Sequence, residues 1–306
     1  MPQETTPSHG EIHCPVLLEE ILAHLLPRDN GIYVDGTMGL GGHTAAILDR
    51  CSPNGRVIAF EWDARAIVLA QKKLATYGDR VQIVRRNFAE IKQGLTDLGI
   101  PAIDGLILDL GLSSLHLDEK TVSGTGRGFS FRGGEPLDMR MDNRMPRTAA
   151  DLVNNAAAEE LADIFFYYGE ERQARRIAAG IVTAREQEKI ETTEQLAAIA
   201  SGAVPKRFHP KKIHAATKVF QALRIATNHE LENLEAILRD APPLLNPGAR
   251  FCAISFHSLE DRMIKWGFRN NPTMQELSKK PVIPTMQECQ KNPRARSAKL
   301  RSAIKL

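Results

Sequence analysis

Glycines crowd behind a short apolar segment near the N-terminus. Gly31-Ile32-Tyr33-Val34-Asp35 runs into Gly36-Thr37-Met38-Gly39-Leu40-Gly41-Gly42-His43, and apolar residues at helical spacing begin at Thr44. Glycine lets the backbone approach a ligand closely and adopt positive φ, and the first turn of a helix offers unpaired N–H groups to something polar. The chemistry such a loop serves is capture of a nucleoside-bearing cofactor; an ordinary tight turn is the plainer alternative. Glu61 follows at roughly the ~20-residue spacing at which a carboxylate meets ribose hydroxyls, although it would also suit the N-terminus of a helix. Phe88 reads as either an adenine contact or a core aromatic, and Asp109 as either a site acid or the end of a strand.

Those residues need a frame, and the chain supplies an alternation of strands and helices. Arg56–Phe60, Val81–Val84 and Gly105–Leu108 are short apolar runs of strand length, and Asp63 to Thr76 carries Ile67, Ala70 and Leu74 at helical spacing. Alternation of this kind predicts an open, mostly parallel α/β sheet, in which ligands lie across the carboxyl ends of the strands. Gly36 to Gly42, Glu61, Phe88 and Asp109 all fall at such ends, one per successive strand.

After Leu110 the pattern changes. Ser113 to Asp142 is rich in glycine and charge, and its Phe129, Phe131, Leu137 and Met139 favour an ordered loop with a function. Helical periods follow over Asp151–Asn155, Ala158–Tyr168 and Arg172–Arg185 and from Glu194, with Thr192 or Thr193 as cap. The sheet pattern returns with helices over Ala215–Ile225 and 231–238 and a strand at Arg250–Phe256, while Ala298 to Lys305 alternates like a half-buried edge strand. The expected organisation is a discontinuous sheet domain, residues 1–115 and 215–306, interrupted by an all-helical domain at 116–214.

Composition narrows the options. The 306 residues suffice for a sizeable core, the 42% apolar content is that of a soluble globular protein, and no apolar run is long enough to span a bilayer. Met1 to Gly10 lacks the basic and apolar segments of a secretory signal, so a cytoplasmic location is expected. Cys14, Cys51, Cys252 and Cys289 show no paired spacing, which argues against a zinc site or a disulfide scaffold; no metal is expected. The net charge of +3 does not by itself mark a nucleic-acid binder. Two local runs do better: Lys206-Arg207-Phe208-His209-Pro210-Lys211-Lys212, and Lys291 to Arg301 with Arg294 and Arg296. Cations of this density neutralise phosphates and an interleaved Phe208 can stack on an unpaired base; solvated surface is the alternative for either run.

At longer range the chain resembles the bacterial small-subunit ribosomal RNA cytosine-N4 methyltransferases, the RsmH or MraW group, almost end to end. The likeness is carried by His13 to Glu20, Asp35 to His43, Asp104 to Ser114, Gly128-Phe129-Ser130-Phe131, Pro136 to Met141, Phe220 to Ile225, Ser255 to Asp261 and Asn292 to Ser297. It implies a class I S-adenosylmethionine-dependent methyltransferase fold, Rossmann-like, with a helical insertion for RNA recognition. The implied substrate is a cytosine of 16S rRNA in the decoding region, as naked RNA or assembled subunit, and the sequence leaves the oligomeric state open, a homodimer included. Carried over by position, the cofactor contacts are Gly41, Gly42, His43, Glu61 where the family typically has Asp, Phe88, Asp109, and His116 where Gln after Pro is common. Arg207, Phe208, Lys211, Lys212, Arg294 and Arg296 are the expected RNA contacts. Asp109, or a carbonyl close to it, is the expected acceptor for the amine proton of cytosine, and Phe129, Phe131 and Arg140 either hold the unstacked base or pack the insertion. Two rival classes remain: an NAD-dependent oxidoreductase, whose fingerprint counted from Gly39 meets Thr44 at its third glycine, and a ribosome-assembly RNA-binding protein without catalysis.

Overall fold

The apolar runs become strands in a computed structural model that describes residues 15–112, 115, 126–131, 133–210 and 213–306. They are Ile32–Asp35 (β1), Arg56–Phe60 (β2), Val81–Val84 (β3), Ile103–Asp109 (β4), Leu245–Ser255 (β5), Met274–Glu276 (β6) and Lys299–Lys305 (β7). One sheet contains them all in the order β3-β2-β1-β4-β5-β7-β6. β1 lies parallel to β2 and β4, β2 to β3 and β4 to β5, whereas β7 runs antiparallel to β5 and β6. This is the class I methyltransferase sheet that the resemblance implies.

Strands in such a sheet are covered on both faces, which is why they read as continuous apolar runs. Val34, Ile58, Leu106 and Phe251 face one core cluster; Tyr33, Val57, Ile107 and Cys252 face the other. The second cluster is closed by helices Leu18–Leu25 (α1), Gly42–Arg50 (α2) and Ala64–Leu74 (α3), through Ile21, Leu25, Ile47, Leu48 and Leu74. Helix Ile91–Asp97 (α4) covers the first face.

The helical unit comprises Ala149–Asn155 (α5), Ala158–Tyr167 (α6), Ala174–Arg185 (α7) and Thr193–Ala203 (α8). Capping boxes start two of these, Thr148 with Asp151 and Thr192 with Gln195, each satisfying orphan N–H groups at a helix entry. Leu161, Phe165, Ile177, Ile181 and Leu196 form a third core cluster. Helix Thr217–Asn228 (α9), grouped with the sheet by sequence, buries Val219, Phe220 and Leu223 in this helical cluster instead. Helices Glu230–Asp240 (α10), Ser258–Asn270 (α11) and Met286–Lys291 (α12) complete the chain, and the first two bring Leu234, Ile237 and Ile264 to the sheet.

Two polar staples hold the long loop, one to α3 of the sheet unit and one to the end of α9. Arg127, buried, pairs with the equally buried Asp63 at the start of α3, and its Nη1 donates to the carbonyls of Arg140 and Met141, both at 3.1 Å. Asn228 donates to the carbonyl of Met139 and accepts from the N–H of Met141, both at 2.7 Å.

The C-terminal strand corrects an expectation. Alternation suggested an edge, yet β7 lies between β5 and β6 with Leu300, Arg301, Ser302 and Ala303 buried. The alternation misled because Arg301 reaches Asp261 Oδ1 at 2.6 Å, so an inward cation is neutralised, and because the three-residue β6 gave no periodic signal. Among the described residues no helix is long and apolar enough to cross a membrane.

Candidate active site

Each strand end delivers one polar group to the same rim. β1 ends in Asp35, fully buried, whose Oδ2 accepts from Thr44 Oγ1 at 2.6 Å and Oδ1 from the Thr37 N–H at 3.1 Å. The carboxylate thereby pins the glycine loop to the first turn of α2, and burial pushes its pKa up to about 6. Gly41 caps α2 at φ +76°, a left-handed conformation that needs glycine, and a Cβ at Gly42 would stand 2.5 Å from Pro15 Cγ.

β2 leads into Glu61. Its Oε2 accepts from Gly39 N at 2.8 Å and its Oε1 from the N–H groups of Trp62 and Asp63, each at 2.9 Å. Burial lifts its pKa to about 7 despite those donors. β3 leads into Asn87 and Phe88, where Asn87 caps the short turn Phe88–Glu90.

β4 ends in Asp109. Its backbone N–H donates to Thr37 Oγ1 at 2.6 Å, and its Oδ2 lies 3.7 Å from His43 Nδ1, while His43 Nε2 sits 3.0 Å from the carbonyl of Val16. Asp109 Oδ1 is buried and has no hydrogen-bond partner among the described residues. Burial, reinforced by the charges of Asp35 and Glu260, pushes the Asp109 pKa up to about 8.

β5 leads to Phe256 and then α11, capped by His257. Glu260, 2% exposed, accepts from the Phe256 N–H at 2.8 Å through Oε2, and its Oε1 lies 3.2 Å from His257 Nε2. Burial works against its charge, but His257 and Arg224 outweigh burial and hold its pKa below the usual range. Beside it, Arg224 of α9 grips Glu230 of α10 with a two-pronged contact, Nε to Oε1 at 2.8 Å and Nη2 to Oε2 at 2.9 Å.

These groups line one cavity of about 720 Å³ across the carboxyl ends of β1 to β5. It contains Gly42, His43, Glu61, Phe88 and Asp109 from the sequence reading, joined by Arg294. Gly41 lies behind the wall, facing Leu74. Arg296 lines an adjoining hollow of about 350 Å³ with Ile283, Pro284 and Cys289. Arg207 and Phe208 line neither cavity; they sit exposed on a turn of the helical unit, the guanidinium 4.8 Å from the ring centre. His116, Lys211 and Lys212 fall outside the described residues.

Of the three loop residues that either held a base or packed the insertion, packing accounts for the contacts seen. Phe129 is buried in the helical cluster, Phe131 stacks on His214 at 4.7 Å, and Arg140 forks onto Asp138 at 2.6 and 2.9 Å. Sequence reasoning gave no role to Trp62, Met141, Arg224, Glu230, Phe256 and Glu260, all of which line the main cavity. The signal existed in the strings Phe220 to Ile225 and Ser255 to Asp261, which carried the resemblance without a chemistry attached.

The residues present suit S-adenosylmethionine. Among the described residues Asp109 Oδ1 has no donor, Glu61 presents a second carboxylate on the same rim, and the sulfonium of the cofactor would offset the repulsion that Asp109 meets from Asp35 and Glu260.

Comparison with known proteins agrees with this layout. The chain is 58% identical to "Ribosomal RNA small subunit methyltransferase H" of Desulfotalea psychrophila, over 97% of this chain and 99% of that protein. It is 49% identical to the protein of the same name from a Cyanothece species, over 100% and 98% respectively. The model of the MraW methylase family matches residues 10–306, so the sheet, the helical insertion and both walls of the cavity lie inside the match. With rim, insertion and sequence all in accord, the chain belongs to the MraW methylase family.

Proposed function

We propose that this protein transfers a methyl group from S-adenosylmethionine to the N4 amine of a cytosine in 16S rRNA, in the decoding region of the small subunit, within the cytoplasm. The observation that carries the reading is the single cavity that joins the glycine loop, Glu61 and Phe88 to Asp109 and onward to a second polar wall. Its volume lies in the range of roughly 300 to 1,000 Å³ typical of small-molecule sites.

Gly42 and His43 with the loop, Glu61, Phe88 and Asp109 would hold the cofactor, which supplies an already electrophilic methyl carbon on a sulfonium. The protein's task is therefore positioning and exclusion of water. The N4 lone pair of cytosine is delocalised into the ring, and an acceptor beside the amine helps to rehybridise it and to remove a proton. Asp109 fills that role once a neighbouring positive charge has favoured its ionised form. Arg294 in the cavity lining, with Arg296, Arg207, Phe208, Lys211 and Lys212, supplies cations and a ring for the RNA, and residues 116–214 contribute part of that set.

Mass spectrometry of nuclease-digested rRNA, after reaction with small subunits from a strain lacking the enzyme, tests the proposal. N4-methylcytidine at one site is the expected product; RNA binding with no methyl transfer would favour an assembly factor. Calorimetric titration with S-adenosylmethionine and with NAD separates the oxidoreductase, which would prefer NAD.

A further inference from the structure

The cavity has two unlike ends. In the strand order, β2 and β3 carry Glu61 and Phe88 to one side of β1, and β5 carries Phe256 and Glu260 to the other, with Asp109 of β4 between them. The second end is walled by Arg224, Glu230 and Glu260, charged side chains from three helices that all line the cavity. Stability alone gives no reason for them. A buried ion pair is weak evidence of stabilisation, and hydrophobic residues of similar volume would serve the packing as well.

Their chemistry fits the edge of a pyrimidine. Cytosine presents an N4–H₂ donor where uracil presents an O4 acceptor. Glu260, held ionised and fixed by the Phe256 N–H and His257, offers lone pairs only. Arg224 uses Nε and Nη2 on Glu230, which leaves Nη1 with no hydrogen bond among the described residues and available to ring acceptors. We propose, resting on the methyltransferase reading above, that Glu260 and the Arg224–Glu230 pair read the amine edge of the target base and reject uracil. A keto oxygen facing Glu260 would leave two acceptors opposed and unpaired in a water-poor pocket, which is how polar sites achieve strong discrimination.

A bound divalent cation is the competing use of this cluster, because ligand atoms of Glu230, His257 and Glu260 lie within 4.8 Å of one another. The guanidinium of Arg224 already engages both oxygens of Glu230 and supplies positive charge there, which favours base recognition.

The experiment measures binding: small subunits carrying uracil at the modified position, which have no amine to accept the methyl group, compete with those carrying cytosine, with wild type, Glu260→Gln and Glu230→Gln. Calorimetry with S-adenosylmethionine accompanies each protein. Wild type binds the cytosine-bearing subunit more tightly by on the order of 100-fold, the cost of one unpaired buried polar contact. Glu260→Gln reduces that preference about 10-fold or more and slows transfer to cytosine, while cofactor affinity changes less than about 3-fold. Should Glu260→Gln fail to fold, since Glu260 belongs to the cap of α11, Glu230→Gln leaves that cap intact and carries the same measurement. An unchanged preference in folded variants overturns the inference, as does cofactor affinity falling in step with transfer. Loss of wild-type preference in EDTA, restored by Mn²⁺, overturns it in favour of a metal site. Absence of any transfer to cytosine by wild type would instead overturn the methyltransferase reading, so the two failures are told apart.

Discussion

The two ends of the cavity are built by different means. At the end nearest β1, β2 and β3, the carboxylates lie between Asp35 and Asp109 and are held by the glycine loop and its flanks: Glu61 by the N–H groups of Gly39, Trp62 and Asp63, Asp35 by the Thr37 N–H and the Thr44 hydroxyl. At the end nearest β5, Arg224 pairs with Glu230 and Glu260 accepts from the Phe256 N–H, while the helices that carry them are tied to distant parts of the chain, Asn228 to the Met141 N–H and Asp261 to the Arg301 guanidinium. A loop and strand register can fix a cofactor site locally. The opposing wall depends on the helical unit and the C-terminal strand being in place.

The largest expected effect lies at the point where the two ends meet. Asp109→Asn should lower the rate of tritium transfer to unmethylated small subunits by about 10²- to 10⁴-fold, the usual contribution of a positioned proton acceptor. A loss below 10-fold would place the acceptor elsewhere. Next, Arg127→Met strands the buried carboxylate of Asp63, at a cost of roughly 3 to 5 kcal/mol in denaturant unfolding. Adding Asp63→Asn should recover part of this. Because Arg127 also holds the carbonyls of Arg140 and Met141, transfer should suffer more than cofactor binding.

The pH dependence comes third. Glu61 and Asp109 have pKa values raised to about 7 and about 8 in the folded protein, so both hold protons more tightly folded than unfolded. Their contribution to stability is fully present below about pH 4 and is lost as pH climbs through 7 and 8. The unliganded protein should therefore lose thermal stability on that limb, and Asp109→Asn should flatten the loss. A cationic cofactor favours the ionised forms, so its affinity should rise between pH 6 and 8, by up to about 10-fold per unit for each proton released. Calorimetry in buffers of different ionisation enthalpy measures the protons, and uptake rather than release would contradict the assignment. The smallest effect belongs to the outer cations. Arg207→Ala should reduce the salt slope of RNA binding by about 1 and leave cofactor affinity unchanged, and the Lys211→Ala, Lys212→Ala pair should act in the same salt-dependent manner.

How much of this was legible follows the same division. The strand–loop–helix rhythm exposed β1 to β5 and the groups at their ends because period and turn chemistry are local. Asp109 was legible as a strand end, and its unpaired oxygen was not, since that depends on Thr37, Asp35 and Glu260 converging in space. The Arg224–Glu230 pair was hidden for a related reason. Sequence placed Arg224 in one helix and Glu230 just ahead of the next, and only the turn at His229, with φ +50°, brings the two together. The C-terminal strand was mistaken for an edge because its neighbour, Met274–Glu276, is too short to show a pattern.

That inserted strand makes one wall of the cavity depend on a segment far along the chain. Lys299–Lys305 lies between β5 and β6, and Asp261 at the head of α11 is gripped by Arg301 and Lys299 only with that strand in place. Deleting it would leave β5 without its antiparallel neighbour and the helix bearing Glu260 without its tether, while the glycine loop, which rests on β1, β2 and β4, would keep its own contacts.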